Sequence, residues 1–414
     1  MTANGAAAEW RKYWLVPLGA AMGYSAMGLQ AYAVGPFVAP LEQEFGWSRA
    51  EVMLGLTISN LIGVFCNFAV GLMIDRLGPR RVGLTGLVVK CGAFALLATA
   101  TGTLLNWALL WVLVAFGAML VQANIWTSAV ASRFDKGRGF AIAVALTGSS
   151  VTAALAPLIA TTLMAEHGWR VAIAGTALSW LVVTFPLAFL LFRGKQDEVV
   201  RQSKEEAAAH AASLPGVTLK EGLRMPAFWR ITAANFAFAF YTLSLSPNLI
   251  PLLGEKGLSV AAAAGIASLI GVVGLVARLS AGYLLDRFSA NVVATCIFLM
   301  PVAGCALMLM DAPGYVLLAL AVASFGATIG AEYDVVFYLV SRHLGLKAFG
   351  ALLGALLTAG AMAGAIAPVA AGWIHDTTGS YDTLLWILIA MMLLSALAMA
   401  TMGKPKHDWG VSRH

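Results

Sequence analysis

Charge is scarce in this chain. Of its 414 residues only 11% are Asp, Glu, Lys or Arg, and 60% are hydrophobic; a soluble domain is about 25% charged. That shortage excludes a water-soluble globular fold. Histidine is missing from the apolar interior: all six (His167, His210, His343, His375, His407 and His414) fall in predicted loops or tails. The four cysteines, Cys66, Cys91, Cys296 and Cys305, lie in apolar stretches at no metal-ligand spacing and read as small buried hydrophobes. No G-x-x-x-x-G-K-[ST] loop occurs, which excludes nucleotide hydrolysis as a driving force. No stretch shows a nucleophile–base pair or a metal-ligand cluster, so neither an enzyme nor a cofactor is expected.

What is abundant is apolar sequence in stretches of about 20 residues or more, the length that crosses a hydrocarbon layer of about 30 Å. The expected fold is therefore an all-α polytopic membrane protein with twelve spans, at 12–38, 50–74, 82–101, 104–131, 139–163, 170–192, 227–252, 259–284, 292–310, 314–340, 348–374 and 381–403. The first apolar run is too long for a signal peptide, so Met1 is expected to be retained. Of 26 Lys and Arg, 21 fall on the side that carries both termini, three (Arg49, Arg170, Lys256) on the other, and two, Lys90 and Arg278, inside spans. The positive-inside rule then places both termini in the cytoplasm and the chain in the cell (inner) membrane. The net charge of +6 is explained by this topology, and nucleic acid is not an expected partner. A polar stretch, 193–226, joins an N-terminal unit (1–192) to a C-terminal unit (227–414), and a single-chain, monomeric molecule is expected.

The two units repeat. Gly71-Leu-Met-Ile-Asp75-Arg76 recurs as Gly282-Tyr-Leu-Leu-Asp286-Arg287, Ser132-Arg133 as Ser341-Arg342, Phe140 as Phe349 and Pro157 as Pro368. Four sets at nearly one offset, each at the same place in its half, indicate two related six-helix bundles.

Ionisable residues deep inside spans carry the functional reading. A charge at the bilayer centre costs about 2.5–3.5 kcal/mol on insertion scales and needs a partner or a water-filled cavity. Arg278 precedes Asp286 by eight residues, about 12 Å of helix, too deep to reach the headgroups. Its planar, permanently charged fork suits two carboxylate oxygens, which makes it a candidate anion anchor; the alternative is a structural arginine locked to Glu332 or Asp334. Those two acids lie at the same depth as Arg278, and their side chains point about 200° apart on one helix. Burial favours the neutral form of a carboxyl, so one of them is the candidate proton carrier and the other a packing or gating partner. Lys90, at similar depth in span three, is expected to form an ion pair or to snorkel.

GLMIDRLGPRR (Gly71 to Arg81) resembles the G-x-x-x-D-R-x-G-R-R loop of the major facilitator superfamily, and the weaker copy at Gly282 falls where that superfamily repeats it. A finer resemblance is to its monocarboxylate porter and oxalate:formate antiporter branches. EFGWSRAEV (Glu44 to Val52) resembles their first external loop, SRFDKGRGFA (Ser132 to Ala141) the segment between spans four and five, and GAEYDVVFYLVSRHLG (Gly330 to Gly345) span ten of bacterial relatives. Beyond Lys12 at its very start span one carries no lysine and position 274 is glycine, so the lysine–aspartate proton machinery of animal monocarboxylate transporters is not present; span eleven has no lysine either, where the oxalate exchanger carries its second cation.

The resemblance implies a secondary transporter of a small organic carboxylate, working by alternating access and coupled to protons as a symporter. Electroneutral anion exchange is the alternative mode and a non-transporting receptor the remote one. It puts Arg278 at the position of the substrate-binding arginine of span eight and Asn124 at a substrate-facing position of span four, where an asparagine also serves as helix–helix glue. Tyr333 matches a cavity-facing aromatic of span ten, and Tyr32, Asn235 and Tyr241 are further candidates to line the cavity. Gly71, Asp75, Arg76, Arg80, Arg81, Asp286 and Arg287 fall in the loops that brace one bundle against the other, and are the expected gating residues.

Overall fold

The computed structural model describes residues 3–134, 138–193, 216–311, 313–345 and 347–403; within these, the side chains of 3–6, 64–72, 74–76, 131, 138–139, 282, 286 and 350 lie outside the description. The chain is almost wholly helical, as a backbone in hydrocarbon must be, because no water is present there to satisfy its polar groups. Span one is Leu15–Tyr32, span two Arg49–Leu77, span three Pro79–Leu96 and span four Leu104–Met119 continued by Ala123–Arg133. Arg138–Leu146 begins span five. Gly148–Leu191, 44 residues long, is too long for one crossing. It turns at Gly168, whose φ of 76° lies in the left-handed region that glycine tolerates, so spans five and six form a hairpin. Span seven is Pro226–Leu245 bent by 62° into Leu249–Glu255. Span eight is Val260–Ala267 with Leu269–Arg287, and spans nine to twelve are Ala290–Met308, Tyr315–Leu344, Phe349–Thr378 and Asp382–Ala400. The described residues thus make twelve passes, which bring residues 3 and 403 to one face, the terminal face; the other is the distal face.

The ends of spans one and seven differ from the expected continuous helices for a local reason. Helix 15–32 stops before Gly35-Pro36, where Pro36 enters a short 3₁₀ turn, Gly35–Phe37, ahead of a distal helix, Val38–Phe45. Span seven bends at Ser246-Pro247-Asn248, since a proline removes a helical donor and clashes with the preceding turn. On the distal face Glu44 accepts hydrogen bonds from the Trp169 indole and from Arg170, and these donors hold its carboxyl below the usual carboxylate range.

Packing repeats the internal symmetry of the sequence. Span one packs on span five as span seven packs on span eleven; span two packs on span four as span eight packs on span ten; span three packs on span six as span nine packs on span twelve. Two apolar cores result. One contains Trp107, Trp111, Trp126 and Phe94 of the first half, the other Phe228, Phe298, Phe325 and Tyr381 of the second, joined by Ala153 of span five. The halves meet along two seams. Span eight lies against span five where a Cβ on Gly271 would collide with the Ser150 carbonyl oxygen and the Ala154 amide nitrogen. Span two lies against span eleven, where Asn60 Nδ2 donates to the Gly364 carbonyl at 2.9 Å.

Small residues at these crossings allow backbones to touch, and a side chain there has nowhere to go. Gly271→Leu is expected to lower the thermal unfolding midpoint of the purified protein markedly or to prevent its accumulation, because overpacking costs typically about 1–3 kcal/mol or more. Gly254→Ala, where nothing lies within 4 Å of the new methyl group, is expected to leave the midpoint unchanged.

Candidate functional site

The site is built by a backbone crossing between spans eight and ten. A Cβ on Gly330 would collide with the Gly274 carbonyl, so two glycines bring these helices into direct contact. One turn further along each helix stand Arg278 and Asp334, and the crossing sets them face to face. Arg278 Nη1 lies 3.8 Å from Asp334 Oδ2, with side-chain exposures of 5% and 26%. At that distance the pair is electrostatic but not hydrogen-bonded. Nε and Nη1 of Arg278 have no hydrogen-bond partner among the described residues. A buried guanidinium with donors to spare is a group prepared for a further acceptor.

Aromatic side chains from both halves surround it. Tyr24 and Tyr32 of span one and Tyr333 of span ten lie within electrostatic range of the Arg278 guanidinium and of one another. Tyr333 is 37% exposed and meets the Phe238 ring edge-on at 5.9 Å and the Phe337 ring at 6.0 Å. Tyr24 is the residue that sequence reasoning passed over. Its only signal was its place eight residues before Tyr32, a little over two turns along the same helix.

Glu332 has a different environment from Asp334, as their angular separation requires. It is fully buried, and neither of its oxygens has a hydrogen-bond partner among the described residues. It follows by one turn Thr328, whose hydroxyl bonds the Ile297 carbonyl of span nine, and its carboxyl lies within electrostatic range of Asp334 and Arg278.

Asn235 and Tyr241 pack against neighbouring helices. Asn235 Nδ2 donates to the Leu356 carbonyl of span eleven at 3.2 Å, and Tyr241 is fully buried edge-on against Phe325 at 5.7 Å. The 62° bend of span seven lies beyond both, and their stretch of helix turns these side chains into the core. Asn124 is exposed on the first turn after the break in span four. Lys90 neither pairs with a carboxylate nor snorkels: it is fully buried and its ammonium donates to Gln30 Oε1 of span one, which also accepts from Ser59 of span two.

Among the expected gating residues, Arg80 donates to the Phe189 carbonyl at 2.6 Å and sits over that ring, and Arg287 stacks on Tyr283, so both engage their own half. Arg81 is exposed. Gly71, Asp75, Arg76 and Asp286 lie outside the described side chains.

A model of the Major Facilitator Superfamily matches residues 20–368. Monocarboxylate transporter 12 of Rattus norvegicus is 25% identical over 297 residues, 65% of this chain and 60% of that protein, and the Gallate transporter of Pseudomonas putida is 25% identical over 295 residues, 63% of each. The chain thus spans somewhat less than two thirds of the length of these relatives. A solved structure of a bacterial homolog to the human lysosomal transporter Spinster superposes with a TM-score of 0.70 at 16% identity, over 94% of this chain and 96% of that one; at that identity the likeness establishes the fold.

A point ammonium cannot replace a fork that offers two parallel donors. Uptake by Arg278→Lys in proteoliposomes is expected to fall about tenfold or more, the consequence of losing one charge-assisted hydrogen bond worth about 1.5–3 kcal/mol. Uptake by the lysine variant equal to wild type would remove Arg278 from the site.

Proposed function

Because the chain belongs to the Major Facilitator Superfamily and is a membrane transporter, we propose that it carries a small organic carboxylate by alternating access, with Arg278 as the anion anchor. The observation that carries this reading is the buried guanidinium of Arg278, whose Nε and Nη1 have no hydrogen-bond partner among the described residues, beside a carboxylate at 3.8 Å. An incoming carboxylate takes donors of this guanidinium and weakens the hold of Asp334. Tyr24 and Tyr32 are on the opposite half, so a cargo seated on Arg278 touches both bundles and is released when they rock apart. The names of the two transporter relatives agree with an anionic cargo.

In this reading the termini are cytoplasmic, the membrane is the inner membrane, the molecule works as a monomer and the mode is proton symport. Moving a monoanion against a negative-inside potential is uphill by about 2.3 kcal/mol per 100 mV, and one co-transported proton cancels that charge. The acids within reach are Asp334, which exchanges its arginine for the cargo, and Glu332, buried without a hydrogen-bond partner. Asp334 is the better placed to couple, since only it makes contact with Arg278.

Uptake of labelled lactate and benzoate into proteoliposomes, followed from about pH 5 to pH 8, tests the coupling. Symport requires uptake to rise as the external pH falls. Asp334→Asn is expected to abolish that dependence while leaving exchange of cargo for cargo largely intact; Glu332→Gln is expected to do so only if Glu332 is the acid that titrates. Uptake that is flat with pH and stimulated by a second anion loaded inside would make the protein an exchanger.

A further inference from the structure

The distal mouth is shut by a contact that joins the halves through backbone as well as side chains. Gly372 of span eleven abuts the first turn of span two so closely that a Cβ there would lie 2.7 Å from both Cα and N of Ala50. One turn on, Asp376 accepts hydrogen bonds from the backbone amides of Arg49 and Ala50, at 3.2 and 3.0 Å. An acid of the second half therefore caps a 29-residue helix of the first, where the helix dipole favours negative charge. The Arg49 side chain, 12% exposed, reaches back across the same seam: its Nη1 donates to Glu255 at 3.3 Å and to the Tyr381 hydroxyl at 3.0 Å.

The groups at this contact each keep a neighbour in their own half if it parts. On the first half, Arg49 also holds Glu42 through Nε at 2.8 Å and Nη2 at 3.3 Å, and the start of span two has a local cap, with Ser48 N donating to Glu51 at 2.8 Å and Glu51 N to Ser48 Oγ at 3.3 Å. On the second half, His375 Nε2 lies 2.7 Å from Glu255, the Tyr381 hydroxyl donates to Asn248 at 2.8 Å, and Lys256 lies 3.6 Å from Asp382. Asp376, its side chain 27% exposed, keeps His375 Nδ1 at 3.9 Å and gains solvent, so separation avoids leaving a charge both buried and unpaired, the main cost of breaking a buried ion pair. Further along span two, Asn60 still reaches Gly364. The described contacts thus close the seam at its distal end.

We propose that Arg49, Asp376, Glu255 and Tyr381 form the distal gate of the transport cycle, a latch that opens by exchanging cross-half partners for those each half already holds. Nothing in this depends on what the cargo is, so the test needs none and stands apart from the carboxylate reading.

Two thiol measurements on the full chain read the gate, with Cys66 and Cys296 replaced by alanine. Cys91 and Cys305, buried one in each half, stay as sentinels that react only if a half unfolds. In the first, Gly35→Cys is paired with Ile250→Cys across the seam; the two Cβ positions lie 3.6 Å apart, within disulfide range. In the second, Gly35→Cys alone is exposed to a membrane-impermeant maleimide. Arg49→Gln, Asp376→Asn and Tyr381→Phe are each expected to slow oxidative cross-linking at least about threefold and to speed maleimide labelling by a similar factor, with both sentinels silent. Tyr381→Phe removes a single hydroxyl and Arg49→Lys keeps the charge, so these two carry the test if a larger change exposes the sentinels. Unchanged rates of both reactions with silent sentinels would show the seam to be static packing and overturn the proposal.

Discussion

A guanidinium has to be held where hydrocarbon would reject it, and the surrounding helices are arranged to make that possible. The Gly274–Gly330 crossing removes two side chains so that Arg278 and Asp334 meet one turn further on. The same crossing packs span eight on span ten, while Gly271, one turn before Gly274, lets span eight also lie against span five of the other half. Anchor and bundle contact are thus set by neighbouring turns of one helix. A shift of that helix moves both, which is what a carrier needs if binding and rocking are to be coupled.

The twelve passes and the doubled architecture were legible in the sequence, because hydropathy and charge report directly on a low-dielectric solvent. The opposed directions of Glu332 and Asp334 followed from helix geometry alone. Other features depended on which helix lies beside which. Asn235 gave the same signal whether it faced a cavity or the Leu356 carbonyl, and the structure selected the carbonyl. Lys90 read as half of an ion pair, yet an amide oxygen of Gln30 takes its proton donor. Arg49 looked like an ordinary loop cation on the sparsely charged side. Its partners Asp376 and Tyr381 lie 327 and 332 residues away, and no local pattern connects them.

Charged contacts divide by location. Among the described residues of the spans, the loose pair of Arg278 with Asp334 leaves guanidinium donors without a hydrogen bond, whereas the distal seam satisfies Arg49 several times over. The first arrangement suits a group that must change partners with a diffusing anion. The second suits a closure that must hold without strain and release without penalty.

The existence of two separate apolar cores has a consequence for biosynthesis. Almost all large buried side chains contact others of their own half, so each six-helix unit contains the packing it needs to fold once its last helix has entered the bilayer. The first half is complete before the second is synthesised, and in this respect the chain is a covalent dimer of two folding units. A break in the peptide between the two six-helix units would leave the packing within each described core intact. Two fragments made separately in one cell have the means to find each other through the span five–span eight and span two–span eleven seams, and to reconstitute a working carrier.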